Sequence, residues 1–271
     1  MSEGPSLAAL TEALRRALAR GDLDSAIRHA AEAQTRFPDA PAPLFLLCTA
    51  LLDRRDPRAA ALLPRLDRFP EHAEGWQALG ETLLRLDRNE AALVAFDRSA
   101  AHAPPDARRA AIGRAAALEA LNRPAEAADA LLPALEDSAE LHYRRGLLLR
   151  RADRAQAARA ALDRAIALDP RRAEAHFALG LACQDAGDQP AAIAAYRAAL
   201  DRRPDFHEAA LNLGTALQAA GDWDAARAAY ARALRLRPES FGRIAQAVTA
   251  ARRGRLFLDP ADLRRALAEG L

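Results

Sequence analysis

Six prolines mark the chain at a near-constant step: Pro38, Pro70, Pro104, Pro170, Pro204 and Pro238. The intervals are 32, 34, 66, 34 and 34 residues, and the 66 is two steps with the middle proline missing. A repeat of this length suits one pair of helices joined by a turn. Proline cannot continue a helix, so it belongs at the joint between pairs. One such pair is too small to bury its apolar face alone. Neighbours must stack, and the stack needs a cap at each end. Seven units follow, at 7–40, 41–72, 73–106, 107–138, 139–172, 173–206 and 207–240.

The last two units show the internal pattern. Leu179-Gly180 matches Leu213-Gly214, Gly187-Asp188 matches Gly221-Asp222, and Ala192, Tyr196, Ala199 and Pro204 match Ala226, Tyr230, Ala233 and Pro238. The third unit carries Trp76, Leu79-Gly80, Leu83, Ala92, Phe96 and Pro104 at the same offsets. In the sixth unit His176, Leu179, Gly180 and Cys183 share one helical face. Gly180 removes a side chain where two helices approach. Gly187 suits the left-handed residue that ends a helix, and Asp188 then caps the next. Gly21-Asp22 and Gly221-Asp222 repeat that pair; Asp87, Asn122 and Asp153 stand in for the glycine elsewhere. Composition agrees. Hydrophobic residues are 51% and aromatics 5%, so the apolar part is mostly Ala and Leu, strong helix formers. The expected fold class is all-α.

These motifs resemble the tetratricopeptide repeat (TPR) family, whose unit runs Trp-x2-Leu-Gly-x2-Tyr and then Ala, Phe, Ala and Pro. Departures exist. The first unit has Ala13 and Leu14 where Leu-Gly is expected. The fourth has Ile112-Gly113 shifted by one and lacks its proline, with its second helix expected to end at a tight turn over Glu136-Asp137-Ser138. The second is two residues short, read as a deletion between its helices. The resemblance implies a right-handed superhelical solenoid whose concave groove, lined by the first helix of each unit, holds extended peptides or helices. Carrying over the family's groove offsets nominates Gln77 and Glu81, then Tyr143, Leu147, Arg150 and Arg151, then Phe177 and Gln184, then Leu211 and Gln218. The family's carboxylate-clamp type uses Lys and Asn, and this chain has no Lys. Its asparagine-ladder type needs a recurring Asn that only Asn212 supplies.

Residues 1–6 read as a tail and 241–271 as a capping helix pair. Phe241, Ile244, Val248 and Ala251 share a face of the first helix, expected from Ser240 to just before Gly254. Asp259 and Pro260 open the second, with Leu263 and Leu267 on one side. Leu256-Phe257-Leu258 is either part of that cap or a patch for self-association.

Other function classes find little support. The net charge is +2, with 39 basic residues, all Arg, against 37 acidic ones, well interspersed. That is no nucleic-acid footprint. An Arg-rich, Lys-free chain resembles proteins from GC-rich bacterial genomes. No signal peptide or apolar span is evident, so a cytoplasmic, non-membrane protein is expected. No catalytic motif is found, so no enzyme activity and no cofactor is expected. His142 and His176 share an offset in neighbouring units, and stacked helices lie about 8–10 Å apart, too far for one metal. Cys48 and Cys183 read as small buried residues. The cluster Arg144, Arg145, Arg150, Arg151 and Arg154 reads as a solvated face paired with acids, or else as an anion contact; Arg252-Arg253-Arg255 reads as a helix C-terminus. The expected function is a scaffold for a protein or peptide partner. The alternative is an accessory module recruiting substrate for a separate enzyme, such as a sulfotransferase or glycosyltransferase.

Overall fold

A computed structural model of the chain describes residues 4–102, 107–250 and 260–268. Among them are sixteen α-helices and no strand. They form two compact units, Met1–Glu136 and Asp137–Leu271.

The first unit holds α1 (Leu7–Ala19), α2 (Leu23–Arg36), α3 (Pro41–Asp53), α4 (Arg58–Leu66), α5 (Ala73–Arg85), α6 (Asn89–His102), α7 (Ala107–Ala120) and α8 (Pro124–Ala130). The second holds α9 (Ala139–Arg151), α10 (Ala155–Leu168), α11 (Ala173–Asp185), α12 (Gln189–Arg202), α13 (His207–Ala219), α14 (Trp223–Leu236), α15 (Phe241–Ala250) and α16 (Pro260–Ala268). α1 pairs with α2, α3 with α4, α5 with α6, α7 with α8, α9 with α10, α11 with α12 and α13 with α14; α2 packs on α3, α6 on α7, α10 on α11 and α12 on α13, whereas α5 packs chiefly on α3 past the short α4, and α14 on α16.

The turns inside the pairs follow from their residues. Gly21, Gly187 and Gly221 take φ of 72°, 77° and 88°, while Asp87, Asn122 and Asp153 take 59°, 55° and 55°. The next residue then caps the following helix: Asp22, Asp188 and Asp222 each accept a backbone N–H at 3.1 Å, from Ser25, Ala191 and Ala225. Arg55 also has positive φ, 56°, and sequence reasoning gave no warning of it.

Two expectations about unit lengths need correction. The missing residues of the second unit are not between its helices. That connection is Arg54 to Pro57, and the shortage falls in α4, which has 9 residues where α2 and α6 have 14. Pro64 inside α4 lacks an N–H and crowds the preceding turn, and the helix stops two residues later. In the fourth unit the second helix does not run to Glu136. It ends at Ala130, and a 3-10 turn over Leu132–Ala134 carries Pro133. The turn at Glu136 does form, with φ 28°, and the Ser138 hydroxyl then caps α9.

The core is one contact repeated. A Cβ on Gly80 would lie 2.7 Å from Phe96, one on Gly146 2.6 Å from Leu162, and one on Gly214 2.6 Å from Tyr230; Gly180 meets Tyr196 in the same way. Each glycine lets the first helix of a pair settle against the large side chain of its partner. Phe96, Leu162, Tyr196 and Tyr230 are all fully buried. The joints between pairs are tied by side chains reaching back. Trp76 Nε1 donates to the Phe69 carbonyl at 3.0 Å, and His176 Nε2 lies 3.0 Å from the Pro170 carbonyl. At the end of the chain α15 begins at Phe241, after a 3-10 turn over Pro238–Ser240. Ile244, Val248, Leu263 and Leu267 are buried together in the core of α12 to α14. Ala251, the turn at Gly254, Arg252-Arg253-Arg255, Leu256-Phe257-Leu258 and Asp259 lie outside the described residues, as does Pro104.

Gly214→Ala is expected to cost ~1–3 kcal/mol through overpacking against Tyr230. It should lower the urea midpoint at unchanged slope. Gly242, with nothing within 4 Å of an added Cβ, is the control: Gly242→Ala should raise the midpoint, by about 0.5 kcal/mol of stability.

Candidate functional site

In the first unit the exposed faces of α3 and α5 bound a furrow of about 630 Å³. Leu46, Thr49 and Asp53 come from α3, and Ala78, Glu81, Thr82 and Arg85 from α5; Leu18 and Leu23 close one end. The lining is mixed, with half-buried leucines below, the Thr49 and Thr82 side chains between them, and the Arg85–Asp53 ion pair at 2.5 Å on the rim. Beyond Ala78 a smaller cavity of about 300 Å³ is lined by Ala73, Glu74, Gln77, Ala78, Ser99 and Arg109. Glu81 divides the two. It accepts from Gln77 Nε2 at 2.8 Å and from Arg109 at 3.0 Å. Gln77 itself is only 7% exposed, so it forms the floor of the smaller cavity rather than a projecting contact.

In the second unit the nominated residues have different fates. Phe177 is half-buried in a ring cluster, 4.8 Å from Phe206 and 5.8 Å from Tyr196 between centroids. Arg172 stacks on the Tyr143 ring at 4.1 Å and Arg203 on Phe206 at 3.5 Å. Leu147 and Leu211 are half-buried and Arg151 is exposed. Arg150 pairs with Asp185 at 2.6 Å, and the other arginines of its cluster have interactions of their own. Gln184 accepts from the Tyr196 hydroxyl at 2.9 Å. Gln218 is 3% exposed; it accepts from Tyr230 at 2.7 Å and donates to the Val248 carbonyl at 3.3 Å. Both heteroatoms of Gln218 are thus engaged inside the unit.

Neither cysteine is primed as a nucleophile. Burial pushes the Cys48 thiol up to about 12 and raises that of Cys183 as well. Burial also holds His176 below its ordinary value. No helix among the described residues is long and apolar enough to cross a membrane.

The family model described as Tetratricopeptide repeat matches residues 78–140, 143–205, 182–241 and 211–270, well over half of the chain. The chain belongs to the tetratricopeptide repeat family. Its TPR fold is shared with solved structures. "Crystal structure of MamA protein" is 26% identical, covering 63% of this chain and 94% of that one at a TM-score of 0.57. YrrB, described as a TPR protein with an unusual peptide-binding site, is 21% identical over 65% of this chain and 92% of its own, with a TM-score of 0.56. MamA 41-end from Desulfovibrio magneticus RS-1 is 22% identical over 62% and 96%, at 0.55. At these identities the last two show likeness of fold. No curated protein matches the sequence.

Comparison among the TPR units explains the two glutamines. Gln184 and Gln218 occupy the twelfth position of their repeats, opposite Tyr196 and Tyr230 at the twenty-fourth. The third repeat has Leu84 opposite Phe96, and the fifth has Arg150 opposite Leu162. Where the large core side chain carries a hydroxyl, a glutamine is present to receive it; where it does not, none is. Only a comparison of the two positions across units reveals this pairing.

Tyr230→Phe and Gln218→Leu should each cost ~1–2 kcal/mol, because each strands a buried polar partner. The double variant should cost about 1 kcal/mol less than the sum, read from chemical unfolding in a double-mutant cycle. Both cysteines should resist iodoacetamide at neutral pH and react once the chain is unfolded in urea.

Proposed function

We propose that this chain is an interaction scaffold with no catalytic step of its own, and that it holds an extended segment of a protein partner along the first-helix faces of its repeats. The observation that carries this reading is the furrow between α3 and α5, about 630 Å³. It offers apolar contact from Leu18, Leu23 and Leu46, with ionic groups confined to the rim. Such a surface suits a chain of alternating apolar and polar side chains, since an apolar floor with a few fixed polar groups gives both contact area and orientation. Family membership supports an interaction role, and YrrB shows that the fold is compatible with a peptide-binding site. Of the nominated groove residues, Glu81 lines this furrow, and Leu147, Phe177 and Leu211 offer half-buried apolar surface in the second unit.

The test is selection of short linear peptides from a displayed library on the immobilised chain. Ala78 is exposed and borders the furrow, so Ala78→Trp fills the space while leaving the buried contacts intact. Selected peptides should bind this variant at least about tenfold more weakly at an unchanged circular-dichroism spectrum. Equal binding by both proteins, or no enrichment of any peptide, sinks the reading.

A further inference from the structure

Three repeats neutralise the glutamate at their second position from within. Arg172 holds Glu140, Arg203 lies 2.8 Å from Glu174, and Arg237 lies 2.8 Å from Glu208. Each arginine comes from the closing residues of the same repeat. The third repeat has the glutamate, Glu74, without the arginine. Its closing residues read Ala103-Pro104-Pro105-Asp106, and among the described residues no cation pairs with the Glu74 carboxylate. Its titratable neighbour is His72, which burial holds below its ordinary value and so keeps neutral.

One turn further on, a second acceptor is unused. Gln77 is 7% exposed, its Nε2 donates to Glu81 at 2.8 Å, and its Oε1 is buried with no donor. Turning the amide over would set that oxygen against the Glu81 carboxylate, so the orientation is fixed by charge. Buried carbonyl oxygens are rarely left without a donor. Glu74 and Gln77 line the same cavity of about 300 Å³, and its other polar members are already committed. The Ser99 hydroxyl donates to the Ala73 carbonyl at 3.0 Å, and Arg109 is held on Glu81. What remains unsatisfied is an exposed carboxylate and a buried carbonyl oxygen one turn away, both acceptors, beside a space fit for one long side chain.

We propose that this cavity receives an arginine side chain from the bound partner, its guanidinium taking between molecules the place that Arg203 and Arg237 take within their own repeats. The proposal rests on the groove reading above and names the chemistry of one subsite. A guanidinium suits it better than an ammonium. Its planar fork presents several donors at once, enough for the Glu74 carboxylate and Gln77 Oε1 together, and it is the more weakly hydrated of the two. The positive charge of Arg109 is balanced by Glu81, so the uncompensated charge at the cavity is negative.

The test uses the full chain and a single-residue probe, N-acetyl-arginine amide, followed through the side-chain amide signal of Gln77 and the backbone amides of Ala78 and Ser99. Saturable shifts are expected, at least about fivefold weaker for the neutral citrulline analogue and for Glu74→Gln, whose exposed position leaves the fold intact. Equal titration by the citrulline probe, unchanged binding by Glu74→Gln, or no saturable shift at Gln77 would overturn the proposal. The two readings fail separately. Selected peptides that lose binding to Ala78→Trp but bind Glu74→Gln normally would remove the arginine subsite and leave the groove standing. Peptides indifferent to Ala78→Trp would remove the groove.

Discussion

The close approach of a glycine to a large buried side chain is the contact on which every well-formed repeat depends. Gly80, Gly146, Gly180 and Gly214 each face such a side chain in the partner helix, with no room for a Cβ. The distance between the two helices of a pair is set there, and so is the direction of the turn that joins them. Everything exposed on the first helix inherits its position from this contact. Leu46, Ala78, Glu81 and Arg85 bound a furrow because a further glycine, Gly75 of α5, lets that helix settle against Phe45 of α3. The furrow is thus a by-product of packing, with little need of dedicated loops.

Much of this was legible in the residues because local chemistry and the repeat agree. Gly-Asp, or Asp, Asn and Asp in place of the glycine, marked the left-handed turns, and the aspartates after the glycines cap the next helix. The two failures of length were tertiary or steric in origin. Counting residues shows that the second unit is short, yet only the ends of α4 show where, and Pro64 supplies the reason. In the fourth unit Pro133 breaks a run that reads as uninterrupted helix.

The candidate site was legible only in outline. The periodicity places Gln77, Glu81, Phe177 and Gln218 on first helices, but it cannot tell a side chain that leans into a furrow from one drawn into a neighbour. Gln218 is drawn inward by the Tyr230 hydroxyl, and Phe177 leans into a ring cluster with Phe206 and Tyr196. Arg150, read as either solvated or ligand-binding, is paired with an acid from the next repeat. Such long-range partners lie about one repeat away in sequence, so they are invisible to any window that covers a single helix.

The hydroxyl on Tyr196 and Tyr230 has a consequence for how such a chain can diversify. In those repeats one oxygen atom recruits the twelfth residue into the interior, so cohesion is gained at the expense of vocabulary. A repeat built around Phe96 or Leu162 leaves the same position free to vary, as Leu84 and Arg150 illustrate. The twelfth position can therefore drift fastest where the buried side chain is mute, while the tyrosine-bearing repeats act as fixed punctuation between the words.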